Sequence, residues 1–104
     1  MSFLRVDKDR VKRRGSVFVV VVDGHKVIVG RTAGDSKTGA MLKVAVDYAT
    51  SKKVPMVQLM KFKKSSDTYR DESFMNSLLY EYIDEGGAWY NVTKETVDLL
   101  WREL

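Results

Sequence analysis

The sequence contains no cysteine, one proline and one histidine. The lack of cysteine excludes disulfides and thiolate metal sites, and it fits a reducing compartment. With one histidine, any metal site would have to consist of carboxylates, which suits Mg²⁺ or Mn²⁺. The longest apolar run, residues 17–22, is too short to cross a bilayer, and the charged N-terminus lacks the apolar stretch of a secretory signal. We therefore expect a soluble cytoplasmic protein without a membrane partner.

The charge of the chain is unevenly distributed along its 104 residues. Residues 1–64 carry fifteen Lys/Arg and five Asp/Glu, a net charge of +10, whereas residues 65–104 carry three and nine, a net charge of −6. Such asymmetry is typical of proteins that bind nucleic acid or anionic surfaces. The alternative is that the two halves face each other and neutralise.

A valine-rich hairpin is the strongest structural pattern in the sequence. Residues 17–22 are apolar on both faces, which predicts a central strand covered on both sides. Asp23-Gly24 supplies the two positions that a type I′ turn needs at positive φ, and residues 25–29 return as the second strand. Residues 1–14 are predicted to form a basic N-terminal arm, and residues 15–104 a single domain.

Three helices and a third strand are predicted after the hairpin. A helix capped by Asp35, Ser36 or Thr38 extends to about residue 50, and residues 56–62 form an edge strand guarded by lysines. Thr68 resembles the start of a capping box, with a helix to about residue 85, and Thr93 caps the last helix. The order ββαβαα predicts an α+β fold with a small three-stranded antiparallel sheet and three helices.

Two local patterns could contact nucleic acid. Lys37-Thr38 resembles part of a phosphate-binding loop, but Arg31 and Ser36 replace both glycines of the motif, which excludes nucleotide hydrolysis. The N-terminus of the helix could still hold a phosphate between Arg31 and Lys37, or the segment is an ordinary capped loop. Trp89 and Tyr90 could stack on bases or fill the core.

The element order and three short segments resemble a GIY-YIG endonuclease domain over most of residues 16–92. The matching positions are Ser16-Val17-Phe18, Ile28-Val29-Gly30 and Tyr90-Asn91. The resemblance implies a nuclease in which two tyrosines and an arginine orient water and stabilise the transferring phosphate, and a glutamate binds a metal.

The chain departs from this pattern where catalysis depends on it. Phe18 and Ile28 stand in place of the two tyrosines, and Lys43 is the nearest counterpart of the arginine. Lysine cannot form the bidentate fork of arginine. The glutamate would have to be Glu72 or Glu81. These departures predict that cleavage has been lost.

The sequence therefore predicts a non-catalytic nucleic-acid-binding protein on a GIY-YIG-like fold, with DNA as the expected form. No catalytic residue, metal or cofactor is predicted. One alternative is a protein-interaction module, an inhibitor or adaptor whose acidic C-terminal third imitates nucleic acid. A second is a metal-dependent nuclease that uses Glu72 or Glu81. The predicted phosphate contacts are Arg10, Lys12, Arg13, Arg14, Arg31, Lys37, Lys61, Lys63 and Lys64.

Overall fold

The computed structural model describes residues 13–104, which form three strands and three helices in the order ββαβαα. This confirms the predicted α+β class and element order. The elements are β1 Gly15–Val22, β2 Lys26–Thr32, α1 Lys37–Tyr48, β3 Val57–Ser65, α2 Thr68–Leu79, a 3₁₀ turn Tyr80–Tyr82 and α3 Lys94–Trp101.

The sheet is antiparallel throughout, with β1 between β2 and β3. The central position of β1 confirms the prediction made from its two apolar faces. Asp23 and Gly24 have φ angles of 53° and 80°, the positive values that a type I′ turn requires. The Asp23 N–H also donates to the Met56 carbonyl (2.8 Å), and Asp23 Oδ1 accepts from the Met56 N–H (3.1 Å). These bonds join the hairpin turn to the segment that enters β3.

Helices cover both faces of the sheet. On one face, the α1 face, Phe18 and Val20 of β1 pack with Ala40 and Val44 of α1. The opposite face, the α2–α3 face, has a core that contains Val19 of β1, Met75 and Leu79 of α2, and Val97 of α3. Successive residues of a strand point to opposite faces, so β1 needs apolar residues at nearly every position. None of the described helices has the length and apolar character needed to cross a membrane.

The start and end of α2 differ from the prediction. Asp67, not Thr68, caps the helix, since its side chain accepts from the Arg70 N–H. Thr68 is buried and its N–H donates to the Arg13 carbonyl, which joins the start of α2 to the residues before β1. The helix ends at Leu79 and is followed by the 3₁₀ turn, so the predicted end near residue 85 is wrong.

The predicted bounds of two other elements also change. β3 extends to Ser65, three residues beyond the predicted end, because Gly15 at the start of β1 pairs with it. Among the candidate caps of α1, Ser36 accepts from the Gly39 N–H (2.9 Å). The helix ends at Tyr48, two residues before the predicted end.

Candidate nucleic-acid interface

The sheet topology brings most of the predicted phosphate contacts among residues 13–104 to one end of the sheet, with Lys61 nearer its middle, opposite Val19. β1 begins at this end, and β2 and β3 finish there, so Val17 pairs with Arg31 on one side and Lys63 on the other. Neighbouring strands lie about 4.8 Å apart, which places the two cationic residues about 10 Å apart across the sheet. Arg10 and Lys12 lie outside the described residues. We call the other seven predicted cations the basic end: Arg13, Arg14, Arg31, Lys37, Lys61, Lys63 and Lys64.

Arg31 is held by two side chains of α2 and one of α1. Its Nε lies 3.3 Å from Glu72 Oε1, and its guanidinium carbon lies 3.7 Å from the centre of the Tyr69 ring. Lys43 Nζ donates to its backbone carbonyl (2.8 Å). The ion pair and the stacked ring together fix the direction of the guanidinium.

The lysines of β3 on the α2–α3 face contact the end of the chain. Lys61 Nζ lies 2.8 Å from Asp98 Oδ1 of α3, and this contact holds the pKa of Asp98 below its ordinary value. Lys63 Nζ donates to the backbone oxygen of Leu104 (3.0 Å). The basic first part and the acidic last part of the chain thus neutralise each other on this face. Arg31, Lys61 and Lys63 form the restrained set.

The remaining cations of the basic end are much less engaged. Within residues 13–104, no carboxylate lies within 4 Å of a charged nitrogen of Arg14 or Lys37, and both residues are exposed. The side chain of Lys64 is 81% exposed and lies 3.9 Å from Asp35, an ion pair too solvated to contribute much. The Arg13 guanidinium is 5.9 Å from the centre of the Tyr69 ring. Arg13, Arg14, Lys37 and Lys64 form the open set.

A cleft runs along the outer edge of β2 between α1 and α2. Its charged section encloses about 220 Å³, and Phe18 and Gly30 form part of its lining. A Cβ at position 30 would lie 2.5 Å from the Phe18 ring, so only glycine allows the ring to pack there. The charged residues that line this section are two cations and two carboxylates, Arg31, Lys43, Asp47 and Glu72.

The same cleft continues into an aromatic section of about 310 Å³, lined by Tyr48, Asn76, Trp89 and Tyr90 among others. The Tyr90 hydroxyl donates to Asn76 Oδ1 (2.6 Å), and the Tyr90 backbone exchanges two hydrogen bonds with Val27 of β2. Burial raises the pKa of Tyr90, and the charge of Glu72 adds to this shift. Tyr90 therefore lines the cleft in a position fixed by both its side-chain and its backbone hydrogen bonds.

The structure shows where the candidate metal-binding glutamates and Trp89 lie. Glu72 lines the cleft, whereas Glu81 is exposed on the 3₁₀ turn. Within residues 13–104, no group of three or more His, Asp or Glu side chains is arranged to hold a metal. The Trp89 ring packs edge-on against exposed His25 (5.5 Å between ring centres).

Sequence reasoning missed the role of Asn76 in the cleft. Its partner Tyr90 is fourteen residues away, and no local motif joins the two. On α2, Met75 and Leu79 fill the core, whereas Phe74 is 42% exposed.

Comparison of the chain with models of known protein families, with characterised proteins and with solved structures gave no significant match. The functional argument therefore depends on the geometry of the basic end and of the cleft.

Proposed function

We propose that this protein binds nucleic acid through phosphate contacts at its basic end and does not cleave it. The observation that carries the proposal is the convergence of six predicted cations, from four separate segments of the chain, at one end of the sheet, with Lys61 nearby on β3. The cluster includes side chains on both faces of the sheet, and a concentration of cations in one region of a protein is typical of nucleic-acid binding.

The open set is the part of this surface best suited to contact phosphates. Its side chains have no strong internal partner that would have to be displaced. Such contacts bind mainly by releasing counterions and carry little sequence information. We therefore expect weak sequence preference and strong salt dependence.

A GIY-YIG-like assignment without cleavage fits the charged section of the cleft. Phe18, Ile28, Lys43 and Glu72, the positions that correspond to the catalytic groups of that family, all line this section. Phe18 and Ile28 provide no hydroxyl, and Glu72 is paired with Arg31. A site without the groups that orient water and stabilise the phosphate loses most of its rate enhancement.

Titration by fluorescence anisotropy tests the proposal. We expect binding to a labelled DNA duplex at low salt, with log K falling against log salt at a slope of about −3 to −4 if four phosphates are contacted. Random and defined sequences should bind alike. Absence of binding to both duplex and single-stranded DNA at low salt would contradict the proposal.

A protein-interaction module is the second candidate because α1 has an apolar outer surface. Leu42 and Val46 lie one turn apart and are 63% and 66% exposed, and Val54 and Met56 in the following segment are also exposed. Large exposed apolar patches are typical of protein contacts. A negative result in the titration above would make this surface the leading candidate.

A further inference from the structure

We propose that the cleft along β2 binds an unstacked nucleobase, so that single-stranded nucleic acid is the preferred ligand. This inference rests on the proposed function and adds a second type of contact to it. The charged and aromatic sections share Ile28, Val29 and Tyr48, so they form one continuous groove. A strand whose phosphate lies near the cations could therefore place a base in the aromatic section.

The aromatic section has the size and lining of a small-ligand site. The aromatic section has a volume of about 310 Å³. A more open cavity of about 530 Å³ adjoins it, shares Asn76 and Tyr90 with it, and extends to Tyr80. Cavities of this size, with aromatic walls and a few polar groups, bind planar ligands. Tyr80 is 67% exposed at the rim, where it is available to stack on an incoming base.

Asn76 provides the polar group that a base would recognise. Its Oδ1 already accepts from the Tyr90 hydroxyl, which fixes the side-chain amide and assigns Nδ2 as the donor that remains. Within residues 13–104, Asn76 Nδ2 has no acceptor. Ser73, which lines the neighbouring cavity, can donate or accept, whereas the Ser77 hydroxyl already donates to the Phe74 carbonyl (2.6 Å) and can only accept. The donors of Asn76 and Ser73 match the oxygen and nitrogen acceptors on base edges.

The position of this section favours a single strand over a duplex. The bases of a duplex are stacked and paired, so a base could enter a groove between two helices only after being unstacked. A single strand has already lost its pairing. Lys43 and Arg31 in the adjoining section can donate to a flanking phosphate, which would compete there with Glu72 for Arg31.

The test compares two ligands that have equal numbers of phosphates. One is an oligothymidylate of about ten nucleotides, and the other is an abasic oligonucleotide of the same length. Phosphate contacts act on both, whereas base stacking acts on the first alone. We expect the oligothymidylate to bind roughly tenfold more tightly, from stacking of one base.

Variants on α2 and at its end locate the effect. Tyr80→Ala and Asn76→Ala should each reduce the ratio of the two affinities toward one while leaving the abasic affinity unchanged. Phe74→Ala is the matched control, since Phe74 is an exposed aromatic residue of α2 that does not line the cleft. Circular dichroism melting of each variant verifies folding.

The outcomes separate the two proposals. Equal affinity for both oligonucleotides would overturn the base-binding cleft while leaving phosphate binding intact. No affinity for either would overturn the proposed function and the inference with it. An equal fall in the ratio for Phe74→Ala and Tyr80→Ala would also reject the cleft as the site.

Discussion

The restrained and open sets at the basic end differ in the oxygen atoms that α2, α3 and the residues after α3 bring close to their charged groups. Arg31, Lys61 and Lys63 project on the α2–α3 face, where Glu72, Asp98 and Leu104 lie within ion-pair or hydrogen-bond distance. The open set lies just before β1, at the start of α1 and at the end of β3. Within residues 13–104, its charged groups have no carboxylate of α2 or α3 within 4 Å, and Arg13 contacts α2 through the Tyr69 ring. A count of cations in the sequence therefore overstates the charge that a ligand would meet.

Neutralising the open set should have the largest effect on binding. In the triple variant Arg14→Gln/Lys37→Gln/Lys64→Gln, we expect DNA affinity at low salt to fall on the order of 10- to 100-fold and the salt slope to decrease by about three. The measurement is an anisotropy titration at several salt concentrations.

The matched control changes the same net charge at the hairpin end of the sheet, as Lys26→Gln/Lys52→Gln/Lys94→Gln. We expect this variant to keep most of its affinity and its salt slope, because its lysines lie away from the basic end. Equal losses in the two triple variants would mean that net charge, and not the basic end, determines binding.

Releasing a restrained cation should give a smaller effect of opposite sign. Glu72→Gln removes the carboxylate that a phosphate would have to displace from Arg31, so we expect DNA to bind a few-fold more tightly, with a salt slope steeper by about one. Glu81→Gln makes the same charge change on the exposed 3₁₀ turn and should have little effect. If both variants tighten binding equally, Glu72 does not act as a competitor for Arg31.

Part of the division of the cations into a restrained and an open set could be predicted from the sequence. The Asp23-Gly24 turn fixes the register of the hairpin, which places Arg31 opposite Val17. The pairing of β3 was not predictable in this way, because its register against β1 shifts by one residue between Val19 and Val20. Such an irregularity changes which lysines share a face with Arg31. The alternation of apolar and polar residues along β3 does not predict it.

The sequence predicts the helices α2 and α3, but it does not predict their contacts with the restrained set. The pair of Lys61 with Asp98 joins residues thirty-seven positions apart, and it depends on how α3 packs across the sheet. The cleft likewise depends on the approach of Asn76 to Tyr90, two residues on different elements. Periodicity predicts which side of an element is apolar, but it does not predict which polar groups meet above the core.

The pair of Lys61 and Asp98 should give the smallest effect, on stability alone. The contact with Lys61 lowers the pKa of Asp98 in the folded state, so the pair stabilises the fold above the pKa of the unfolded chain, near 4. That contribution is lost as the pH falls through the lower folded-state pKa. We expect Asp98→Asn to lower the melting temperature slightly at pH 7 and to match the unaltered chain at pH 2–3.

Glu85→Gln is the control, because Glu85 is exposed after the 3₁₀ turn and no cation lies within ion-pair distance of it among residues 13–104. It should melt at the same temperature as the unaltered chain at both pH values. DNA affinity measured in parallel separates the two possible roles of Lys61. If Asp98→Asn lowers the melting temperature and leaves affinity unchanged, the pair serves the packing of α3. If DNA affinity instead rises, as we expect for Glu72→Gln, Asp98 competes with phosphate for Lys61. Lys61 would then leave Asp98 and contact phosphate when DNA binds, and it would behave as a member of the open set.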